Sequence, residues 1–109
     1  MKLEIIETKQ DGDAIRLALK GVMNIHTAVD FRKQLKPLLA NAKQRIHVDL
    51  SEVDFIDSAG LATLVEGLQW SRAAEGRHFV LSGLCDRVRD IFELAKLDTV
   101  FEIEEGSAA

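Results

Sequence analysis

The chain has 109 residues and a net charge of −4, and 47% of its residues are hydrophobic while 29% are charged. This length suits one domain with its own core, and the composition is typical of a soluble globular domain rather than a disordered chain. Acidic residues recur and no Lys/Arg cluster stands out, so direct nucleic-acid binding is not expected. Without an apolar run of membrane-spanning length or a signal-peptide pattern, we expect a cytoplasmic protein that does not insert into a membrane.

The first predicted element is a β-hairpin. Residues 3–8 and 14–20 have the apolar spacing of strands, and the Asp-Gly-Asp sequence at residues 11–13 is typical of a tight turn. We therefore expect two antiparallel strands, the second of which ends at Gly21.

A helix is predicted to follow the hairpin. Its start is expected between Asn24 and Thr27, where Thr27 and Asp30 resemble a capping box with Asp in place of Glu. An apolar stripe with helical spacing then continues to residue 42. Pro37 interrupts this stripe, and it predicts a kink or the start of a new short turn.

The remaining elements alternate between strand and helix. The pattern predicts strand 45–50, a loop of about six residues, helix 58–74 closed by Gly76, strand 78–82, helix 85–97 and strand 100–103. Strand–helix alternation implies right-handed crossovers and a mainly parallel sheet. The predicted fold is α/β in the order β-β-α-β-α-β-α-β, with one domain over residues 1–103 and a frayed tail over residues 104–109.

A lone hydroxyl, Ser58, lies in the sequence FIDSAGLATL at the predicted start of a helix. As the N-cap it would accept a hydrogen bond from the first turn, with Asp57 adding a favourable negative charge. The same place suits a phosphate, since the amino end of a helix favours an anion and Ala59 and Gly60 leave room. A catalytic nucleophile is disfavoured because no G-x-S-x-G elbow is present and no histidine is marked as its base.

The helix that begins at Ser58 has two faces when its residues are placed at roughly 100° intervals. The face predicted to contact the core carries Leu61, Leu64, Val65 and Leu68. Trp70 falls almost opposite, near Ala59, Ala62, Thr63, Glu66 and Gly67. An outward aromatic side chain among small neighbours is typical of a partner-docking surface, whereas packing of Trp70 against a neighbouring element is the alternative. Both interpretations stay open at this point.

Other polar and sulfur groups have structural explanations. His26 precedes the first helix, where it either caps that helix or contacts a partner. Cys85, the single cysteine, lies at a predicted helix start, which can lower a thiol pKa, but an inert thiol is expected. Asp49, Asp54 and Asp57 are better explained as solvated carboxylates than as a magnesium site, so no metal or cofactor is expected.

The segment DLSEVDFIDSAGLATLV, residues 49–65, resembles the centre of STAS domains, in particular the bacterial anti-sigma factor antagonists. The segments LKGVMNIHTA and LSGLCDRVRDIFELAKLDTVFEI, residues 19–28 and 81–103, extend the resemblance over most of the chain. In that family the serine after the motif aspartate is phosphorylated by a partner that is both an anti-sigma factor and a serine kinase. A PP2C-type phosphatase reverses this modification, and only the unphosphorylated antagonist binds the anti-sigma factor and frees the sigma factor.

For this chain the resemblance implies a STAS fold, no catalytic activity of its own and phosphorylation at Ser58. It also implies that Asp57 helps to form the site and that Gly60 permits close approach. The turn that usually reads Gly-Glu-Leu-Asp in the family has Val22 and Asn24 at its acidic positions. The expected partner-binding residues are Asn24, His26, Asp57, Ser58, Ala59, Gly60, Ala62, Thr63, Glu66 and Trp70. STAS domains also serve as adaptor subunits of lipid-exporting ABC complexes or act in sensory signalling complexes, and these are the alternatives.

Overall fold

The computed structural model describes residues 3–40 and 44–104, which form one sheet with helices packed against it. The elements are β1 Leu3–Gln10, β2 Ala14–Met23, α1 Thr27–Ala40, β3 Arg45–Ile56, α2 Ser58–Arg72, β4 His78–Ser82, α3 Asp86–Leu94 and β5 Glu102–Glu104. Within these residues the five strands lie in the order β1-β2-β3-β4-β5. Strand β1 is antiparallel to β2, and all later pairs are parallel. The predicted fold class and element order are confirmed.

One face of the sheet carries the core. Along β2 the side chains of Ile15, Leu17 and Leu19 are buried, and the residues between them are not. The three successive crossovers move in one direction across the sheet, so right-handed connections place their helices on the same face. The opposite face of the sheet, which we call the open face, carries the residues that lie between these buried positions along each strand.

Strands β2 and β3 are longer than predicted. They continue to Met23 and Ile56 because their parallel pairing resumes after register shifts, with Gly21 opposite Val53 and Met23 opposite Ile56. Each shift breaks the alternation of apolar residues, which is why the sequence pattern predicted a loop after residue 50. As a result, only Asp57 separates β3 from α2, and the site lies directly at the end of a sheet strand.

The start of α1 differs from the predicted capping box. Asn24 Oδ1 accepts hydrogen bonds from the backbone N–H groups of His26 and Thr27, at 2.9 and 3.0 Å. Thr27 Oγ1 accepts in return from Asn24 N at 2.9 Å, so the reciprocal pair is Asn24 with Thr27 and not Thr27 with Asp30. No new turn begins at Pro37, since α1 runs through this residue to Ala40.

The last elements are shorter than predicted or shifted along the chain. Helix α3 ends at Leu94 because Lys96 adopts a φ of 62° and Leu97 N bonds to Phe92 O, as in a Schellman motif without glycine. Strand β5 begins at Glu102 and includes Glu104, which the sequence pattern assigned to the tail. Residues 105–109 of that predicted tail lie outside the described residues.

Gly76 has the expected left-handed conformation, with a φ of 83°, but α2 has already ended with Ala73 as its C-cap. Among residues 3–40 and 44–104, no helix combines the length and the apolar character needed to cross a membrane.

Candidate functional site

Asp57 joins the two segments that form the candidate site. Its Oδ1 accepts hydrogen bonds from Ala59 N at 2.9 Å and Gly60 N at 3.2 Å, which makes it the N-cap of α2. Its Oδ2 accepts from Ile25 N at 3.1 Å, in the turn between β2 and α1. The carboxylate therefore stabilises the helix start and fixes this turn beside it.

Ser58 is the first residue of α2 and not its cap, so the predicted capping role is wrong. Its side chain is exposed and makes no hydrogen bond to another of the described residues. The backbone N–H groups of Ala59 and Gly60 already donate to Asp57, and Leu61 N donates to Asp57 O. These N–H groups are therefore already engaged and are not available to bind a phosphate on Ser58. A phosphate on Ser58 would project into solvent beside the Asp57 carboxylate.

The turn before α1 holds its shape through backbone and side-chain hydrogen bonds. Thr27 Oγ1 donates to Val22 O at 2.7 Å, and Asn24 fixes the next residues as the cap of α1. The side chains of Ile25 and His26 are exposed in this turn, Ile25 by 64%. Asn24 thus has a role in the fold, and its contact with a partner stays a prediction, as it does for His26.

Two glycines set the orientation of α2 on the sheet. A Cβ atom at Gly67 would lie 2.3 Å from two ring carbons of Phe79, and one at Gly60 would lie 2.7 Å from Ile56 Cγ1. The backbone of α2 therefore approaches the sheet at Gly60 and Gly67. The sequence pattern had placed Gly67 on the outward face and had assigned Gly60 to neither face. Leu64 between them is fully buried.

This orientation overturns the predicted outward position of Trp70. The helix is turned toward Gly60 and Gly67, and Trp70 lies roughly 60° from Gly67 around the helix axis. Its side chain is only 8% exposed and belongs to the buried hydrophobic cluster. Leu61 and Val65, expected in the core, are only partly buried.

Arg77 covers the ring of Trp70. Its guanidinium carbon lies 5.0 Å from the ring centroid, and its Nη1 donates to Trp70 O at 3.2 Å. Within the described residues the Trp70 Nε1 atom is buried without a hydrogen-bond partner. The alternative, in which Trp70 packs against neighbouring parts of the fold, is confirmed, and Trp70 is removed from the candidate surface.

A groove between α1 and α2 opens beside Ser58. We call it the α1–α2 groove, and it is lined by Ile25, Ala28, Val29, Arg32, Ala59, Ala62, Thr63 and Glu66. Ile25 and Val29 expose 64% and 50% of their side chains, and Arg32 Nε pairs with Glu66 Oε1 at 2.8 Å across the groove. Thr63 is 4% exposed, and its hydroxyl donates to Ala59 O, so it contributes to the floor.

The groove thus contains four of the predicted partner-binding residues, Ala59, Ala62, Thr63 and Glu66, and it adds residues that the sequence pattern missed. Ile25, Val29 and Arg32 belong to the turn before α1 and to α1 itself. A signal for one of them was present, because Val29 is a large apolar residue outside the core stripe of α1.

Two of the three carboxylates considered for a magnesium site, Asp49 and Asp57, make hydrogen bonds within the fold. Asp49 pairs with Arg16 and accepts a hydrogen bond from Ser51 N at 2.9 Å. Burial alone would raise the Asp49 pKa, but the hydrogen bonds from Ser51 and the charge of Arg16 outweigh it and lower that pKa. Across residues 3–40 and 44–104, no group of three or more His, Cys, Asp or Glu side chains has the arrangement of a metal site.

Cys85 lies immediately before α3 as its N-cap residue. Its thiol is partly buried and lies 3.5 Å from the carbonyl oxygen of Val53 in β3. The side chain makes no capping hydrogen bond to α3. It connects α3 to the end of the sheet that also carries Asp57.

A family model, a related sequence and a solved structure all relate this chain to STAS domains or anti-sigma factor antagonists. The model of the family described as "Mlab, STAS domain" matches residues 6–104. The anti-sigma-B factor antagonist of Staphylococcus aureus is 27% identical over 107 residues, covering 98% of this chain and 97% of that protein. A candidate anti-sigma factor antagonist from Thermotoga maritima, solved by crystallography, has a TM-score of 0.84 at 26% identity, covering 94% of this chain and 86% of the other.

More distant structures share the fold. The anti-sigma factor antagonist SpoIIAA in its unphosphorylated form has a TM-score of 0.80 at 17% identity and covers 95% of this chain and 89% of its own. The Bacillus protein SpoIIAA in its phosphorylated form has a TM-score of 0.75 at 15% identity, with coverages of 95% and 92%. The extent of the family match, over nearly the whole described sheet and its helices, establishes that this chain belongs to the STAS domain family.

Proposed function

We propose that this protein is a partner-switching regulator controlled by phosphorylation of Ser58. With Ser58 unmodified, it binds an anti-sigma factor that is also a serine kinase, and a sigma factor is released. The kinase transfers the γ-phosphoryl group of ATP to Ser58 Oγ, which loses its proton, and ADP leaves. A PP2C-type phosphatase hydrolyses the ester and restores the binding form, so the protein itself is a substrate and not an enzyme.

The observation that carries the proposal is the exposed Ser58 residue, which directly precedes Ala59 of the α1–α2 groove. Asp57 caps α2, so modification of Ser58 removes no hydrogen bond on which the helix start depends. Ala59, the next residue, lines the groove, and Ile25 and Val29 expose apolar surface there. The hydroxyl is thus available to a kinase, and its neighbours offer a surface that a partner would bury.

Electrostatics explains why one phosphate would end the complex. Phosphorylation adds about −1.5 to −2 charges at neutral pH. Both Asp57 oxygens already accept backbone hydrogen bonds, so this charge gains no capping contact and stands beside another negative group. A partner surface that covers the groove would have to desolvate both charges together.

The relatives support the same function. The similar proteins of known role are anti-sigma factor antagonists, and SpoIIAA has been solved in phosphorylated and unphosphorylated forms. We extend this behaviour to the present chain. A switch that depends on ATP and on a sigma factor places its action in the cytoplasm.

A binding comparison tests the switch. The affinity for the chain's own anti-sigma factor kinase is measured by calorimetry for wild type, Ser58→Ala and Ser58→Asp. We expect Ser58→Ala to bind within about twofold of wild type and Ser58→Asp to bind at least about tenfold more weakly, because a close like charge costs more than ~1 kcal/mol. Thr8→Asp, in β1, adds the same charge far from the groove and should bind like wild type.

Equal binding by all four proteins would refute the switch. Mass spectrometry of the protein from its own cells then decides what replaces it. Absence of phosphate on Ser58 under varied growth conditions would favour an adaptor subunit of a lipid-exporting ABC complex, which needs no modification. Phosphate on Ser58 with unchanged binding to the kinase would favour a sensory signalling complex with a different output.

A further inference from the structure

A basic strip on α1 adjoins the α1–α2 groove. A second, smaller concavity beside α1 is lined by Val29, Arg32, Lys33 and Lys36. It shares Val29 and Arg32 with the α1–α2 groove, so the two concavities form one continuous surface. We call Arg32, Lys33 and Lys36 the basic strip of α1.

The charge of this strip contrasts with that of the whole chain. The chain has a net charge of −4, whereas α1 carries three basic residues and one acid, Asp30, in its first turn. Arg32 is partly neutralised by Glu66. For Lys33 and Lys36, no ion pair is formed with another residue among those the structure describes. The strip therefore presents positive charge beside the exposed side chain of Val29.

The shape of the surface favours a helical ligand. Helices α1 and α2 run parallel, because each connects parallel strands on one face of the sheet, and the groove lies between their first turns. Along α1, from Ala28 to Lys36, the surface extends for about 12 Å, or roughly two helical turns. The apolar residues Ile25, Val29 and Ala62 line the α1–α2 groove, whereas Lys33 and Lys36 line only the second concavity.

We propose that this surface docks an acidic, amphipathic helix of a protein partner, with apolar side chains in the α1–α2 groove and carboxylates against the basic strip. The inference rests on the proposed function for the identity of the partner, which is the anti-sigma factor. An anionic membrane is a poorer match, because the apolar surface is concave, lies between two helices and projects only Ile25 and Val29 as large apolar groups.

An acidic helix as the ligand explains how a phosphate on Ser58 would weaken binding of the partner. The carboxylates of the docked helix are attracted by Lys33 and Lys36 at one end of the surface. A phosphate on Ser58, next to the groove residue Ala59, repels those carboxylates of the docked helix that lie near the other end. The switch would then depend on the sign of the partner's charge as well as on its shape.

Selection from a peptide library tests the inference. The library displays 18-residue amphipathic helices with a fixed apolar face and polar positions randomised among Asp, Glu, Lys, Arg and Gln. It is panned against the whole chain. We expect enrichment of Asp and Glu, and binding that weakens about fivefold in Lys36→Glu and weakens again as salt is raised. Arg87→Glu, an equal charge change at an exposed position of α3, is the matched control and should bind like wild type.

The possible outcomes separate this inference from the switch. Enriched basic or neutral peptides, no enrichment over bare resin, or equal binding to Lys36→Glu would overturn the docking surface, whatever Ser58 does. So would sedimentation of the chain with phosphatidylglycerol vesicles that is lost in Lys36→Glu, which would assign the strip to a membrane. Acidic peptides that depend on Lys36 but bind Ser58→Asp as well as wild type would support the surface and count against the switch.

Discussion

The two sides of the sheet differ in how far their exposed side chains are paired within the domain. On the open face, polar groups on different strands pair with one another. These pairs are Arg16–Asp49, Arg45–Glu104, His78–Glu102 and His47–Ser82. On the helix side, the α1–α2 groove leaves Ile25 and Val29 exposed, and Ser58 makes no hydrogen bond to another of the described residues.

This difference distinguishes residues that serve the fold from residues available to a partner. A side chain whose polar groups are paired within the domain loses those contacts if a partner takes them. An exposed apolar side chain or an unengaged hydroxyl loses nothing within the domain when it is covered. The contrast supports our proposal that the groove binds a partner, and it associates the open face and the packing beneath α2 with the fold.

The largest effect is expected where α2 packs directly on the sheet. Gly67→Ala places a Cβ atom 2.3 Å from the Phe79 ring. Alanine favours a helix by about 1 kcal/mol over glycine, but overpacking costs more, so we expect a net loss of about 2 kcal/mol in the free energy of unfolding, measured by urea denaturation.

Phe79→Leu provides the control for this prediction. With the ring removed, Gly67→Ala should become neutral or stabilising, and a double-mutant cycle measures this coupling. Equal losses in the two backgrounds would mean that the contact between Gly67 and Phe79 does not orient α2.

A smaller effect separates the two polar residues at the start of α2, Asp57 and Ser58. Asp57→Ala removes the cap of α2 and the bond to Ile25 N, and we expect a loss of about 1–2 kcal/mol in the free energy of unfolding. Ser58→Ala removes no hydrogen bond to another described residue, so its loss should stay below about 0.5 kcal/mol. A reversed order in thermal or urea unfolding would make Ser58 the structural residue and weaken its assignment as a switch.

The sequence predicted the architecture because its signals are local. Alternating apolar residues such as Ile15, Leu17 and Leu19 identify a strand, and a helix begins at Ser58 as predicted. Strand β3 was predicted to end at residue 50 because its apolar alternation stops there. The strand continues to Ile56 because it pairs with β2 across register shifts, which its own sequence does not indicate.

The candidate site was predicted in part. Asp57 and Ser58 lie together at the expected helix start, but their capping roles are exchanged, since two adjacent polar residues give the same sequence signal. Trp70 was placed outward because glycines carry no weight in an apolar pattern, although Gly60 and Gly67 make the closest approach to the sheet. The groove could not be predicted, because it requires α1 and α2 to lie side by side.

The smallest effect tests the open face through pH. Burial lowers the pKa of His47 below 6.5, and the charges of Arg16 and Arg45 add to this more than Glu104 and Asp49 oppose it. The neutral ring, with Nε2 2.7 Å from Ser82 Oγ, is therefore the form that the fold favours. Because the pKa is lower in the folded state than in the unfolded state, this contribution is complete above pH 6.5 and is lost as the pH falls through the folded pKa.

His47→Gln, which keeps a hydrogen-bonding group without a charge change, isolates this contribution. Between about pH 7.5 and pH 5.5, the free energy of unfolding of the wild type should fall more than that of His47→Gln, because only the wild type must add a proton at this position. His26 and His78 are present in both proteins and cancel in the difference. Parallel curves would mean that the pKa of this ring is the same in the folded and unfolded states. The hydrogen bond between His47 and Ser82 would then not hold the ring in its neutral form, and the contrast between the paired open face and the exposed groove would be weaker.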